Sequence, residues 1–378
     1  MKIRFNRSVL ATLAAVLMGL TPVTHAQDIV LGQVGPFTNI PVPDGLEVSQ
    51  GIKAYLAQAD KNSGVNGRKI SFFELDDRYS YEGFAGQFAK AMEKKPVALL
   101  SPVGSAALKG MLDNKLLDTA DVVVLNAIPG AEALRMPGHP RLFHIRAGDR
   151  QQIEKMVSHA RTLGITRLSV LYQDLPIGTS GMAVAEQEAR RLGIELKGVK
   201  SGNDAGALNE ASRQLAAQGA QGALVLGAPR FMADGVASLR KAGVSQSIAV
   251  LSYVPPSLIV KLAGLEGARG VSIAQTYPDP NGRALPVSRD FRAAMKALYP
   301  QLQAYTSVQF EGYLSARTAV EALKRSRDKN PTPASLAKAL HAMGELDFGG
   351  FRVDFSKGNT GSQFVDMAVI GSDGLLHY

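Results

Sequence analysis

The feature that most restricts this chain is a rhythm: short apolar runs alternate with longer amphipathic ones, and the whole pattern occurs twice. Ile29–Val34, Lys69–Leu75, Val97–Leu100 and Val122–Leu125 read as strands. Between them Leu46–Lys61, Tyr81–Glu93 and Ala106–Leu117 carry apolar residues at helical spacing, and Asn62-Ser63-Gly64 supplies a helix stop. Strand, helix and strand at this spacing predict βαβ units, a parallel sheet and right-handed crossovers. After Phe143–Ile145 the pattern restarts with helix Gln151–Leu163, strand Leu168–Tyr172 and helix Met182–Leu192. Strands Leu196–Val199, Ala223–Leu226 and Ile248–Leu251 then alternate with helices Ala207–Gln218 and Phe231–Ala242. Each β–α–β–α stretch spans about 100 residues, far above the length of a solenoid repeat, so two similar α/β halves are expected. The C-terminal part breaks the rhythm: Val287–Leu298, Ser307–Arg325 and Pro333–Met343 read as successive helices. Phe351–Phe355 and Phe364–Ile370 read as a final pair of strands joined by Lys357-Gly358-Asn359-Thr360-Gly361. Such a tail fits a chain that returns to cover both lobes.

The first 26 residues are expected to stand outside this fold. Lys2, Arg4 and Arg7 form a positive leader, Val9–Leu20 is an uncharged apolar run, and Thr24-His25-Ala26 places small residues at a cleavage site. That is the pattern of a secretory signal peptide cleaved after Ala26, and the apolar run is too short to span a membrane. Export follows as the expectation. Cleavage removes three cations, so the formal charge of +9 falls to +6 over the remaining residues. The densest cluster, Lys324-Arg325-Ser326-Arg327-Asp328-Lys329, ends a helical pattern where cations suit the helix dipole, so no nucleic-acid partner is expected. The chain has no Cys, which excludes disulfides, thiolate metal sites and a thiol nucleophile.

Catalytic motifs fail one after another. The phosphate-binding patterns Gly-x-x-x-x-Gly-Lys-Ser/Thr and Gly-x-Gly-x-x-Gly are missing from strand ends, and Gly227-Ala-Pro has the wrong shape for a phosphate cradle. His139, His144, His159, His341 and His377 include no pair at i, i+4, so they read as surface or packing residues and no metal or cofactor is expected. Gly178-Thr-Ser180-Gly181 only superficially resembles a hydrolase nucleophile turn. Asp76-Asp77 after a strand reads as hinge-proximal or helix-capping carboxylates ahead of an acid/base pair. What remains is a set of small, polar strand-to-helix turns: Gly35-Pro36-Phe37-Thr38, Ser101-Pro-Val-Gly104-Ser105 and Ile128-Pro-Gly130-Ala131. In an open α/β sheet ligands bind beyond the carboxyl ends of the strands. Ser105 begins a helix, so its hydroxyl and the adjacent N–H groups suit an anion, with plain N-capping as the competing reading.

Several longer stretches carry a family resemblance. "GQVGPFT" in the first strand and turn, "GVNGRKI" before the second strand and "ELDDRY" at its end resemble type I periplasmic substrate-binding proteins of the leucine/isoleucine/valine-binding group, which serve ABC importers. "PGAEALR", "FEGYLSAR", "GGFRVDFS" and "GSQFVDMAVIG" extend the likeness across essentially all of 28–378. The resemblance implies two Rossmann-like lobes with parallel sheets, joined by a hinge of three crossovers. Lobe one would be 27–147 plus 276–345, and lobe two 148–275 plus 346–378. It further implies a monomer that closes on a small-molecule ligand and is read by an inner-membrane permease. A chemoreceptor or sensor kinase could read the same closed surface, and a secreted α/β enzyme lacks any credible nucleophile here.

Carried over by local alignment, the serine that grips an amino acid's carboxylate falls on Ser105. Two further contact positions fall on Ile128 and Gly130, and two aromatic positions on Ile177 and Pro229. The acid that pairs with the ligand's ammonium falls on Ser252, with Tyr253 beside it, and another aromatic position falls on Asp44. Gly130 lacks the hydroxyl that amino-acid binders use and Ser252 lacks the charge. A buried ammonium left without its carboxylate is costly by several kcal/mol. The expected ligand is therefore a small organic carboxylate, aromatic acids among them, with Ser105 at the carboxylate and Tyr253, Tyr277 and Tyr305 near its apolar part. Asp44 as a substitute counter-charge for an amino acid stays open. The paired cysteine positions of some relatives fall on Tyr79 and Gly104, and both are absent together.

Overall fold

The computed structural model describes residues 28–38 and 44–378; the expected signal peptide and its cleavage site lie outside them. Five strands, β1 (Ile29–Gly35), β2 (Ile70–Asp76), β3 (Ala98–Leu100), β4 (Val123–Leu125) and β5 (Leu142–Phe143), form one parallel sheet in the order β2-β1-β3-β4-β5. A second sheet contains β6 (Arg167–Gln173), β7 (Glu195–Ser201), β8 (Gly222–Leu226), β9 (Ser247–Val250) and β10 (Val271–Gln275) in the order β7-β6-β8-β9-β10. The two orders are the same doubly wound topology, so the repeated rhythm of the sequence corresponds to two lobes of one design.

Helices cover both sheets. In the first lobe these are α1 (Asp44–Lys61), α2 (Tyr81–Glu93), α3 (Ser105–Asp113) and the short α4 (Leu116–Thr119). In the second they are α5 (Asp149–Thr162), α6 (Pro176–Leu192), α7 (Ala205–Ala217), α8 (Pro229–Lys241) and α9 (Pro256–Ala268). Their starts follow the local chemistry: the Ser80 hydroxyl accepts the Gly83 N–H at 3.0 Å to open α2. The chain then returns to the first lobe as α10 (Pro286–Leu298), α11 (Ser307–Ser326) and α12 (Pro333–Ala342). Thr306 and Gln309 cap α11 reciprocally, at 3.1 and 2.9 Å. Phe291, Phe310, Tyr313 and Leu336 join Ile29, Leu31, Ile52 and Phe143 in the first core. Ile153, Val170, Leu224, Phe231 and Ile248 belong to the second. The contact between α1 and α11 is glycine-mediated: a Cβ on Gly51 of α1 would lie 1.8 Å from the Gln309 carbonyl oxygen, and one on Gly312 of α11 would lie 2.0 Å from that of Val48.

Two expectations about the tail need correction. Arg352–Val353 (β12) pairs antiparallel with Leu346–Asp347 (β11), not with the last strands. Leu346, Phe348, Phe351, Val353 and Phe355 pack in the first core, where three phenylalanines and two aliphatic side chains are buried. The segment expected to enter the second lobe at 346 has its buried side chains in the first core as far as Phe355. Asp366–Ile370 (β13) adds antiparallel to β10, and Leu376–His377 (β14) pairs with β13. Among the described residues no helix is long and apolar enough to cross a membrane, and no group of three His, Asp or Glu residues is placed to hold a metal ion.

Candidate functional site

Both sheets reverse their strand order between the first strand and its neighbour, β1/β3 in one and β6/β8 in the other, and such switch points are where doubly wound folds leave a crevice. Ser105 opens α3 just beyond β3, while Ile177 and Pro229 stand at the starts of α6 and α8, just beyond β6 and β8. The carboxyl ends of the two sheets face one another, because the loops after β4 and β9 touch: the Gly130 N–H donates to the Tyr253 hydroxyl at 2.9 Å. Four non-glycine residues with positive φ, Arg78, Tyr79, Ser101 and Asn126, lie just past the carboxyl ends of β2, β3 and β4. Strained backbone of this kind concentrates at binding sites.

Ser105 is exposed and is the first helical residue; the N-cap is Gly104, at φ 109°. The capping alternative for Ser105 is thereby removed, and its hydroxyl stands at the open N-terminal turn. Asp76 and Asp77 do not cap the helix that follows, whose N-cap is Ser80; they brace the loops around it. Against slight burial, hydrogen bonds from Thr38, Phe37 and Arg78 hold the Asp76 carboxyl below its usual range and tie the β1–α1 turn to β2. Asp77 is fully buried; its carboxyl accepts the Tyr79 N–H at 2.8 Å and is pushed up to about 6, chiefly by burial.

The remaining expected residues divide. Ile128 is buried and offers its carbonyl oxygen to Arg146 at 3.1 Å, with its side chain in the first core. Gly130, Ser252 and Tyr253 come together between the lobes, and Ile177 and Pro229 are partly exposed on the second-lobe side. Tyr277 is packed against Phe310 and Phe351 with 2% of its surface exposed, so its ring serves the core; burial and the neighbouring Glu311 carboxylate raise its pKa. Tyr305 packs edge-on against Phe291 at 5.5 Å and brackets Asn281 through its backbone, again a packing role. The side chain of Asp44, at the start of α1, lies outside the described residues.

Sequence reasoning missed the polar network beneath these residues. Arg146, just after β5, and Glu311, on α11, form an ion pair at 3.2 Å with only 3% and 5% of their side chains exposed. Asn126 donates to Glu311 at 3.1 Å, and Arg146 donates to the Ser252 hydroxyl at 2.6 Å, which ties the first crossover to the second lobe. Burial works against the charge on Arg146, and the adjacent Glu311 carboxylate more than compensates, raising its pKa. Asp149, at the head of α5, accepts the Tyr253 hydroxyl; burial raises its carboxyl, opposed by that hydrogen bond and by Arg146. His144, next to this network, is pushed down to about 3 by burial and by Arg135 and stays neutral. One signal for Glu311 was available. Glu311, Ser315 and Thr318 repeat at helical spacing on a stripe that is otherwise apolar, and all three are buried.

Two lobes of one topology, with facing switch points and a buried ion pair beside the chain crossing between them, have the build of a receptor for a small solute. The chain belongs to the periplasmic binding protein family, whose model matches residues 28–374. That family binds solutes rather than transforming them, and periplasmic location goes with it. An extracellular ligand-binding receptor from Verminephrobacter eiseniae is 59% identical, with a TM-score of 0.88 over 93% of this chain and 100% of that one. A substrate-binding periplasmic protein from Ralstonia solanacearum is 27% identical, with a TM-score of 0.80 over 92% and 99%. An ABC transporter substrate-binding protein from Desulfitobacterium hafniense, solved in complex with Leu, shares the fold at 20% identity, with a TM-score of 0.77 over 93% and 100%. No curated protein matches the chain.

Proposed function

We propose that this protein is the solute-binding component of an ABC importer. It would capture a small organic carboxylate, aromatic acids among them, and deliver it as a monomer to an inner-membrane permease by closing its lobes. The observation that carries the ligand class is the pairing of Ser105 with Gly130 and Ser252. An exposed hydroxyl at the open turn of α3 suits a carboxylate. The positions aligned with an amino acid's ammonium contacts hold Gly130, on the same lobe as Ser105, and Ser252, on the other lobe and bonded to a guanidinium. Ile177, Pro229 and the partly exposed ring of Tyr253 supply apolar surface on the second-lobe side. Closure by hinge bending is the motion this architecture supports, with the three crossovers absorbing the rotation. The lobes are expected to be 27–147 with the returning helices, and 148–275 with the final strands.

Native mass spectrometry after incubation with a mixture of benzoate, aliphatic organic acids and amino acids tests the proposal. A one-to-one complex with an acid lacking an ammonium is expected. A complex with an amino acid, or with nothing in the mixture, counts against it.

A further inference from the structure

Between the two lobes, Tyr253 makes contacts that packing alone does not require. Its hydroxyl accepts the Gly130 N–H at 2.9 Å from the opposite lobe and donates to the Asp149 carboxylate. That donation is the one side-chain hydrogen bond Asp149 takes among the described residues. The space above Gly130 is filled by the same two groups: a Cβ there would lie 2.3 Å from the Tyr253 hydroxyl and 2.5 Å from Asp149 Oδ1. On the far side of the ring the Arg146 guanidinium sits 4.8 Å from the centroid, held by Ser252 and Glu311. A ligand ammonium entering this corner would seek the Asp149 carboxylate, and the chain's own hydroxyl already occupies it. The nearby guanidinium would repel the newcomer as well.

We infer that Tyr253 sets the ligand class of the cleft: its hydroxyl fills the corner between Gly130 and Asp149 and so excludes ligands that carry an ammonium there. The inference rests on the carboxylate-binding function proposed above and names the residue that enforces it. Since the hydroxyl and Gly130 belong to opposite lobes, the exclusion takes effect as the lobes approach. Removing the hydroxyl leaves Asp149 without its donor, and an incoming ammonium becomes the natural replacement.

The test is calorimetric titration of the wild type, Tyr253→Phe and Tyr253→Ala with benzoate and with L-leucine at pH 7, each protein first shown to be folded by circular dichroism. Wild type is expected to bind leucine at least 100-fold more weakly than benzoate. In Tyr253→Phe, the ratio of leucine to benzoate affinity should rise at least tenfold, through a gain in leucine affinity. A gain of binding cannot come from damage to the fold, and Tyr253→Ala repeats the test without the ring. Leucine affinity unchanged in both variants, or leucine binding as tightly as benzoate in wild type, overturns the inference. If benzoate fails to bind wild type while leucine binding rises in the variants, the role of Tyr253 stands and the carboxylate function falls.

Discussion

Replacing Glu311 with Gln removes one charge from the Arg146–Glu311 pair and almost nothing else, since the amide keeps an oxygen that can accept from Asn126 and Arg146. The pair is 3.2 Å apart with both side chains at least 95% covered, so the guanidinium left behind has no water to turn to. Breaking a buried pair by removing one partner costs about 3–5 kcal/mol. Because Arg146 keeps its bonds to the Ile128 carbonyl and the Ser252 hydroxyl, the low end, about 3 kcal/mol, is expected. At about 2–4 °C per kcal/mol for a chain this long, Tm should fall by about 6–12 °C. Urea unfolding followed by far-ultraviolet circular dichroism gives the free energy, with a second probe to check that both lobes unfold together. The double variant Arg146→Met, Glu311→Leu removes both charges and should recover part of the loss, with a coupling of about 0.5–3 kcal/mol. A cost below about 1 kcal/mol for Glu311→Gln would refute the argument that this pair is desolvated and holds its surroundings together.

Three further outcomes are expected. Ser105→Ala should weaken binding of the acid ligand at least tenfold in a calorimetric titration while leaving Tm within about 2 °C, because alanine suits the exposed first helical position; unchanged affinity would remove Ser105 as the anchor. Gly312→Ala puts a methyl 2.0 Å from the Val48 carbonyl oxygen and should destabilise by about 1–3 kcal/mol through overpacking between α1 and α11, read by chemical denaturation. Asp77, raised to about 6 from an unfolded value near 3.8, binds its proton more tightly when folded. It therefore favours folding as pH falls through 6 toward 4, and lessens stability above that window. The Tm of wild type minus that of Asp77→Asn should accordingly rise when the pH is lowered from 7.5 to 4.5, and a flat difference would contradict the burial argument.

The α/β rhythm was legible because it is written in local periodicity: the strands from Ile29 to Val250 and most of the helices between them fall where the apolar spacing puts them. Two adjacent elements were not legible. Helix Pro256–Ala268 carries a non-helical Gly264 at φ 73° and leaves Leu265 exposed, so it shows no clean amphipathic stripe. Strand Val271–Gln275 is sandwiched between parallel β9 and antiparallel β13, a placement that local pattern does not encode. The tail misled for a related reason. Phe351–Phe355 looks like the partner of the next apolar run, yet the first core claims its aromatic side chains. At the site, turns after strands pointed to Ser105 and Gly130, which the fold does bring to the carboxyl edge of the first sheet. The network under them joins Asn126 and Arg146 to Glu311, 185 and 165 residues away, and only the crossing of the chain between lobes makes them neighbours. Tyr277 and Tyr305 show the converse: a tyrosine's type does not tell whether its ring faces a cleft or a core.

The central claim is that the cleft takes a carboxylate and refuses an ammonium, and a thermal-shift panel of organic acids against leucine and valine tests it most directly. At 100 times its dissociation constant a ligand adds about 2.7 kcal/mol of stability, which corresponds to about 5–11 °C in Tm. The account predicts that shift with at least one carboxylate lacking an ammonium and none with leucine or valine. A shift with leucine or valine, or none with any such carboxylate, would contradict it.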